Sequence, residues 1–146
     1  MADWKQNLLE DDARIWALVR EARRVAVLGI KTEAQADQAA FYVARYVAEH
    51  GGEVIPVPVY YPEVREILGR PVYRKLADVP GAIDIVDVFR KPSDIPTHLP
   101  DILAKRPRAA WFQLGIRNDA AAEELARAGI QVVQDRCLKV EWSRFR

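Results

Sequence analysis

The sequence predicts an α/β protein: a Rossmann-like, doubly wound parallel sheet of about five strands, in three α/β/α layers. Three observations carry this. Five short apolar runs punctuate the chain, they are apolar at consecutive positions, and amphipathic helical patterns fill the gaps between them. Consecutive apolar residues mark strands covered on both faces, as in parallel sheets. Strand–helix–strand repeats of this kind close as right-handed βαβ units.

The first run is Val25-Ala26-Val27-Leu28, ended by Gly29, and the second is Val54-Ile55-Pro56-Val57, introduced by Gly51-Gly52. The third spans Ile83 to Phe89, the fourth Ala109 to Leu114, and the fifth Ile130 to Val133. A helix near residues 11–22 carries Ile15, Leu18, Val19 and Ala22 on one stripe; residues 35–49 do the same with Ala36, Ala40, Val43, Ala44 and Val47. Ser93 opens a helix through Leu103, and Asn118 is a good N-cap for residues 119–128, which Gly129 stops. Residues 60–82, rich in Pro and Tyr, read as a turn of helix around Glu63 to Leu68 and a small edge strand at Val72-Tyr73. Trp111 and Trp16 read as core; Trp4 and Trp142 are candidates to cap the sheet edge or join an oligomer interface.

Composition narrows the function. The 146 residues make one domain, 1–146, with 50% hydrophobic and 29% charged residues. Lys+Arg number 22 against 21 for Asp+Glu, so the basic excess of a nucleic-acid binder is missing. The single Cys137 forbids an internal disulfide, and His50 and His98 stand outside any metal-ligand spacing. No apolar run is long enough to span a membrane, and the acidic N-terminus lacks a signal peptide's apolar stretch. A cytoplasmic domain without metal is expected.

In an open α/β sheet the ligand crevice lies beyond the carboxyl ends of the strands. The residues leaving the five predicted strands include Lys31, Arg90, Lys91, Arg117, Arg136 and Lys139, with Asp87 and Asp135 as the nearest acids. Cations gathered near a helix N-terminus suit a ligand with several phosphates. The plain alternative is a set of solvated loop charges, some paired with those two acids. The first loop, Gly29-Ile30-Lys31-Thr32-Glu33-Ala34-Gln35, has one glycine where a dinucleotide fingerprint needs three, and strand two ends in Pro58-Val59-Tyr60 rather than an acid. NAD is disfavoured by both features. An adenine could pack on Pro58 and Val59; plain edge packing explains them equally well.

These loops resemble those of a known family. Val27-Leu28-Gly29, Pro56-Val57-Pro58, Asp84-Ile85-Val86-Asp87-Val88-Phe89-Arg90, Gln113-Leu114-Gly115-Ile116 and Asp135-Arg136-Cys137-Leu138-Lys139 occur in order and at matching spacing. The chain is similar, from about Asp11 to Glu141, to the small stand-alone CoA-binding-domain proteins, relatives of the nucleotide-binding domain of the succinyl-CoA synthetase α-subunit.

The resemblance implies coenzyme A or an acyl-CoA as the ligand. Gly29, Ile30, Lys31, Thr32 and Gln35, with the helix start after them, would hold the pyrophosphate. Pro56, Val57 and Pro58 would border the adenosine, and Phe89, Arg90 and Lys91 would flank it and its phosphates. Gln113, Leu114, Gly115 and Ile116 would border the pantetheine path, with Arg136 and Cys137 at the same edge. The first loop departs from the family pattern at Ile30, Thr32-Glu33 and Gln35-Ala36-Asp37, leaving Lys31 as its only cation.

No Ser/His/Asp or Cys/His arrangement is apparent, so no catalytic residue is assigned and a non-catalytic carrier, sensor or regulator is the first expectation. The alternatives are a component of an acyl-CoA ligase or transferase completed by a partner chain, and a dinucleotide-binding redox sensor. Cys137 reads first as a small packing residue; Arg136 and Lys139 beside it also make it a candidate for a mixed disulfide with the CoA thiol.

Overall fold

The computed structural model describes residues 3–146. Five parallel strands form the sheet: β1 (Arg24–Leu28), β2 (Glu53–Val57), β5 (Ile85–Val88), β6 (Ala109–Phe112) and β7 (Gln131–Val133). Their spatial order is β2-β1-β5-β6-β7, so the chain moves outward from β1 in one direction, then returns and moves outward in the other. The switch falls between β1 and β5. Ligands of doubly wound sheets bind at that position.

Strand side chains alternate between two helical layers. Val25, Val27, Ile85, Ala109, Trp111 and Val133 pack on α1 (Asp12–Glu21), α2 (Ala39–Glu49) and α5 (Leu138–Phe145). Ala26, Leu28, Val86, Val88, Ala110, Phe112 and Val132 face α3 (Ile95–Lys105) and α4 (Asp119–Arg127). Burial on both sides explains why the strand sequences do not alternate in polarity. Trp111 is fully buried and its Nε1 donates to the Arg136 carbonyl at 2.8 Å. Truncating it to alanine would cost about 3–5 kcal/mol.

Side chains cap the first turns of α1 and α4. The Asp11 carboxylate accepts from Arg14 N and the Asn118 side chain from Ala121 N, each covering an amide that the helix cannot pair itself. Trp142, on α5, is buried and donates through Nε1 to the His50 carbonyl. No helix among the described residues is long and apolar enough to cross a membrane.

Several boundaries differ from the sequence reading. The helix expected from residue 35 begins at Ala39, because Thr32 and Gln35 close a separate 3-10 turn over Glu33–Gln35. The third strand is Ile85–Val88, the fourth stops at Phe112 and the fifth starts at Gln131. The helix expected at Ser93 starts at Ile95 after a 3-10 turn over Pro92–Asp94. No helix forms over residues 63–68 and no strand at Val72-Tyr73. Instead β3 (Glu66–Ile67) and β4 (Arg70–Pro71) pair antiparallel around Leu68 and Gly69, both at positive φ. Two consecutive left-handed residues make the hairpin turn whose twist matches that of its strands. Trp16 is not core: it is 36% exposed and its ring lies 4.3 Å from that of Phe145.

Candidate functional site

Gly29 leaves β1 at φ +87°, its amide donating to the Val57 carbonyl at 2.9 Å. Phe89, leaving β5, donates to the Leu28 carbonyl at 2.9 Å. The two exits thus run side by side at the switch point. Beyond them lies a crevice of about 320 Å³, at the small end for ligand sites, lined by Gly29, Ile30, Lys31 and Ala40 on one side. Tyr60, Tyr61, Phe89, Arg90, Lys91 and Asp94 complete the lining.

Each wall has its own support. The Lys31 amide donates to the Ala40 carbonyl at 3.1 Å, folding the first loop against the start of α2. No side chain caps α2 at Gln38. The first amides of an uncapped helix favour an anion. Tyr61 stands at φ 62°, and Arg74 holds this loop by donating to the carbonyls of Tyr60, Tyr61 and Val64 at 2.7–3.0 Å. Glu33 does not line the crevice: its carboxylate accepts from Leu68 N at 2.8 Å and ties the hairpin to the first loop.

Arg90 is the most constrained cation of the crevice, its side chain only 14% exposed. Its Nε donates to His98 Nε2 at 3.2 Å, its Nη1 to the Tyr60 hydroxyl at 3.4 Å, and its Nη2 to Asp94 Oδ2 at 3.4 Å. The guanidinium also sits 5.5 Å from the Tyr60 ring centre. The hydrogen bond from Arg90, and then its charge, hold the exposed Tyr60 phenol below its usual range. Partial burial, then the Arg90 charge, lower the His98 pKa, against a smaller opposing effect of Asp101 and Asp94.

Of the residues singled out from the sequence, Gly29, Ile30, Lys31, Phe89, Arg90 and Lys91 line this crevice. Thr32 and Gln35 do not: the Thr32 hydroxyl donates to Gln35 Oε1 at 2.7 Å, spending both side chains on their own cap. Pro56, Val57 and Pro58 are buried, with Val57 in the core against α3 and α4, and they do not line this crevice. Gln113 is 3% exposed and its Oε1 accepts from Leu138 N at 3.2 Å, capping α5. Leu114 and Gly115 are exposed beyond the end of β6, and Ile116 packs at the edge of the α3/α4 layer.

The six cations do not gather in one place. Arg117 and Arg136 line a second cavity of about 400 Å³ beside β7, where Arg136 donates to Asp12 Oδ1 at 2.8 Å and to the Glu10 carbonyl. Lys139 lies 5.2 and 5.3 Å from the Tyr42 and Tyr46 ring centres. Cys137 is half-buried against the α1/α2/α5 layer and does not line the crevice. Among the described residues Asp87 pairs with no cation and its two carboxyl oxygens find no partner; it is fully buried on that same layer, and burial pushes its pKa well up. Asp135 instead accepts from Gly115 N at 2.7 Å.

Sequence reading missed Tyr61, Asp94 and His98, and gave Tyr60 no role. The signal was present in part: Arg90, Asp94 and His98 are spaced by four, the interval that stacks side chains along a helix.

A parallel sheet of this order, with a cationic crevice at its switch point, defines a Rossmann-like domain. The family model described as the CoA binding domain matches residues 23–143, and the chain belongs to that family. It is 31% identical to the uncharacterized protein YneT of Bacillus subtilis (strain 168) over 128 residues, 88% of this chain and 91% of that one. A solved Thermus thermophilus protein, cell-free ID.343, is 40% identical with a TM-score of 0.85, covering 94% of this chain and all of that one. A hypothetical protein from Pyrococcus horikoshii OT3 is 29% identical with a TM-score of 0.82, covering 93% and 92% of the two chains.

Proposed function

We propose that the chain binds coenzyme A or an acyl-CoA without transforming it, as a cytoplasmic carrier, sensor or regulator of one domain. The observation that carries this reading is the meeting of Lys31, Arg90 and Lys91 around Gly29 at the β1/β5 switch point. Three cations beside an uncapped helix start suit the diphosphate of CoA. The Tyr60 ring, 60% exposed at the crevice mouth, offers a flat surface for the adenine. The pantetheine arm then runs over the ends of β5 and β6 toward Leu114 and Gly115.

Thermal unfolding with CoA, acetyl-CoA, NAD and FAD tests the reading. At a hundred times its Kd a ligand adds about 2.7 kcal/mol, roughly 5–10 °C for a domain of this size. CoA should give that shift and NAD and FAD should not. Arg90→Glu should abolish the CoA shift while keeping the fold. A shift with NAD or FAD alone would replace this reading with a dinucleotide sensor.

A further inference from the structure

We propose that His98 is a positioning residue of the crevice, holding Arg90 so that its two terminal nitrogens face an incoming anion end-on. The inference rests on the reading that the crevice takes a phosphate-bearing ligand. An unsupported arginine side chain spends about 2 kcal/mol of rotamer freedom when a ligand fixes it. Here His98 Nε2 has fixed it already, at 3.2 Å from Nε.

The three contacts of Arg90 are unequal. The bond to His98 is the shortest, and those to Tyr60 and Asp94 are both at 3.4 Å. A phosphate competes well for Nη1 and Nη2, whose present bonds are long, and poorly for Nε. The guanidinium can grip an anion side-on, through Nε and one Nη, or end-on through both Nη atoms. With Nε on the imidazole, only the end-on grip remains.

The tautomer follows from the donor. Arg90 Nε carries its proton at every accessible pH, so the His98 Nε2 opposite must be the unprotonated nitrogen of a neutral ring. The charges facing that ring are Arg90 and Asp94, from the β5–α3 connection, and Asp101, from α3 itself. Asp101 is already engaged by the amides of Leu76 and Ala77. Tyr60 and Lys91 flank the far side of Arg90. Partial burial and the neighbouring guanidinium both favour the neutral ring. That is the ring form whose Nε2 accepts from Arg90.

Two measurements test the role. In ligand-free protein, proton NMR follows the His98 Cε1–H through its titration in wild type and in Arg90→Gln. Removing the guanidinium charge should raise the midpoint; an unmoved midpoint overturns the proposal. Calorimetric titration with CoA at pH 8 then compares wild type, His98→Ala and His98→Gln. Loss of a hydrogen bond to a charged group should weaken His98→Ala about tenfold. Gln, whose amide oxygen can accept from Nε, should stay within a few-fold of wild type. Unchanged affinity in His98→Ala overturns the proposal and leaves the CoA reading intact. If wild type binds no CoA but the NMR midpoint moves as expected, the CoA reading falls and the His98–Arg90 hold stands.

Discussion

A Cβ placed on Gly29 would stand 2.4 Å from the carbonyl oxygen of Phe89. That approach brings the β1 and β5 exits together and opens the crevice between them. Gly29 also adopts φ +87°, where a side chain is strained whatever the space.

Gly29→Ala should therefore destabilise the protein by more than about 2 kcal/mol, adding a backbone clash to the left-handed penalty. Gly115 provides the control. It has φ +84° with nothing within 4 Å of its would-be Cβ. Gly115→Ala should cost only the conformational part, about 1 kcal/mol. Urea unfolding of both variants separates the contributions; equal losses would mean that the approach to Phe89 relaxes freely.

Asp87 is expected to give the fold a pH dependence. Its carboxyl is fully buried opposite Val27 and Trp111, without a hydrogen-bond partner among the described residues, and desolvation raises its pKa. An acid with a raised folded pKa holds its proton longer in the native state than in the unfolded chain. Stability is thus highest at low pH with respect to this group and falls as pH rises above the unfolded carboxyl value. Asp87→Asn, which cannot ionise, should remove that downward slope. Urea melts at pH 4.5 and pH 8 should show the variant gaining on wild type at the higher pH; parallel behaviour would place Asp87 outside this balance.

What the sequence conveyed, and what it did not, divides along physical lines. Strands buried on both faces write themselves as continuous apolar runs, so the cores of β1, β5 and β6 were legible from Val27, Val86 and Trp111. The strand ends were not, because Gln113 and Leu114 continue the apolar pattern only in part and Gln113 turns inward to cap α5. The β3–β4 hairpin was hidden because its turn uses Leu68, a residue ill-suited to positive φ. Glu33, far away in sequence, accepts the Leu68 amide. At the site, charge in the loops was readable, but direction was not. Arg90 and Arg136 both follow a strand, yet the first turns to His98 and the second to Asp12.

Gln113 is therefore expected to act on stability. Its buried Oε1 is the acceptor for Leu138 N at the first turn of α5. Gln113→Leu would leave that amide unpaired away from water, at a cost of about 1–3 kcal/mol. Chemical unfolding should register the loss, and hydrogen exchange should report faster opening of α5. A CoA affinity lowered at unchanged stability would instead place Gln113 on the ligand path.

Arg136 distinguishes the cationic β1/β5 crevice from the cavity beside β7, whose lining includes Glu10, Asp119 and Glu123. Its guanidinium reaches Asp12 at 2.8 Å and lies 3.7 Å from Glu141 Oε1, a carboxylate with only 6% of its side chain exposed. Arg136→Ala removes a partly exposed ion pair, worth up to about 1 kcal/mol, and takes a cation away from the buried Glu141. The Arg136 carbonyl, which receives Trp111 Nε1, survives the substitution because it belongs to the backbone. The fold should persist with a modestly lowered melting temperature. CoA affinity should stay within about twofold of wild type, far below the tenfold change that 1.4 kcal/mol produces. Calorimetric titration at low salt, where long-range attraction is least screened, is the demanding form of the test. A tenfold loss there would mean that the cavity beside β7 and the β1/β5 crevice hold one ligand between them.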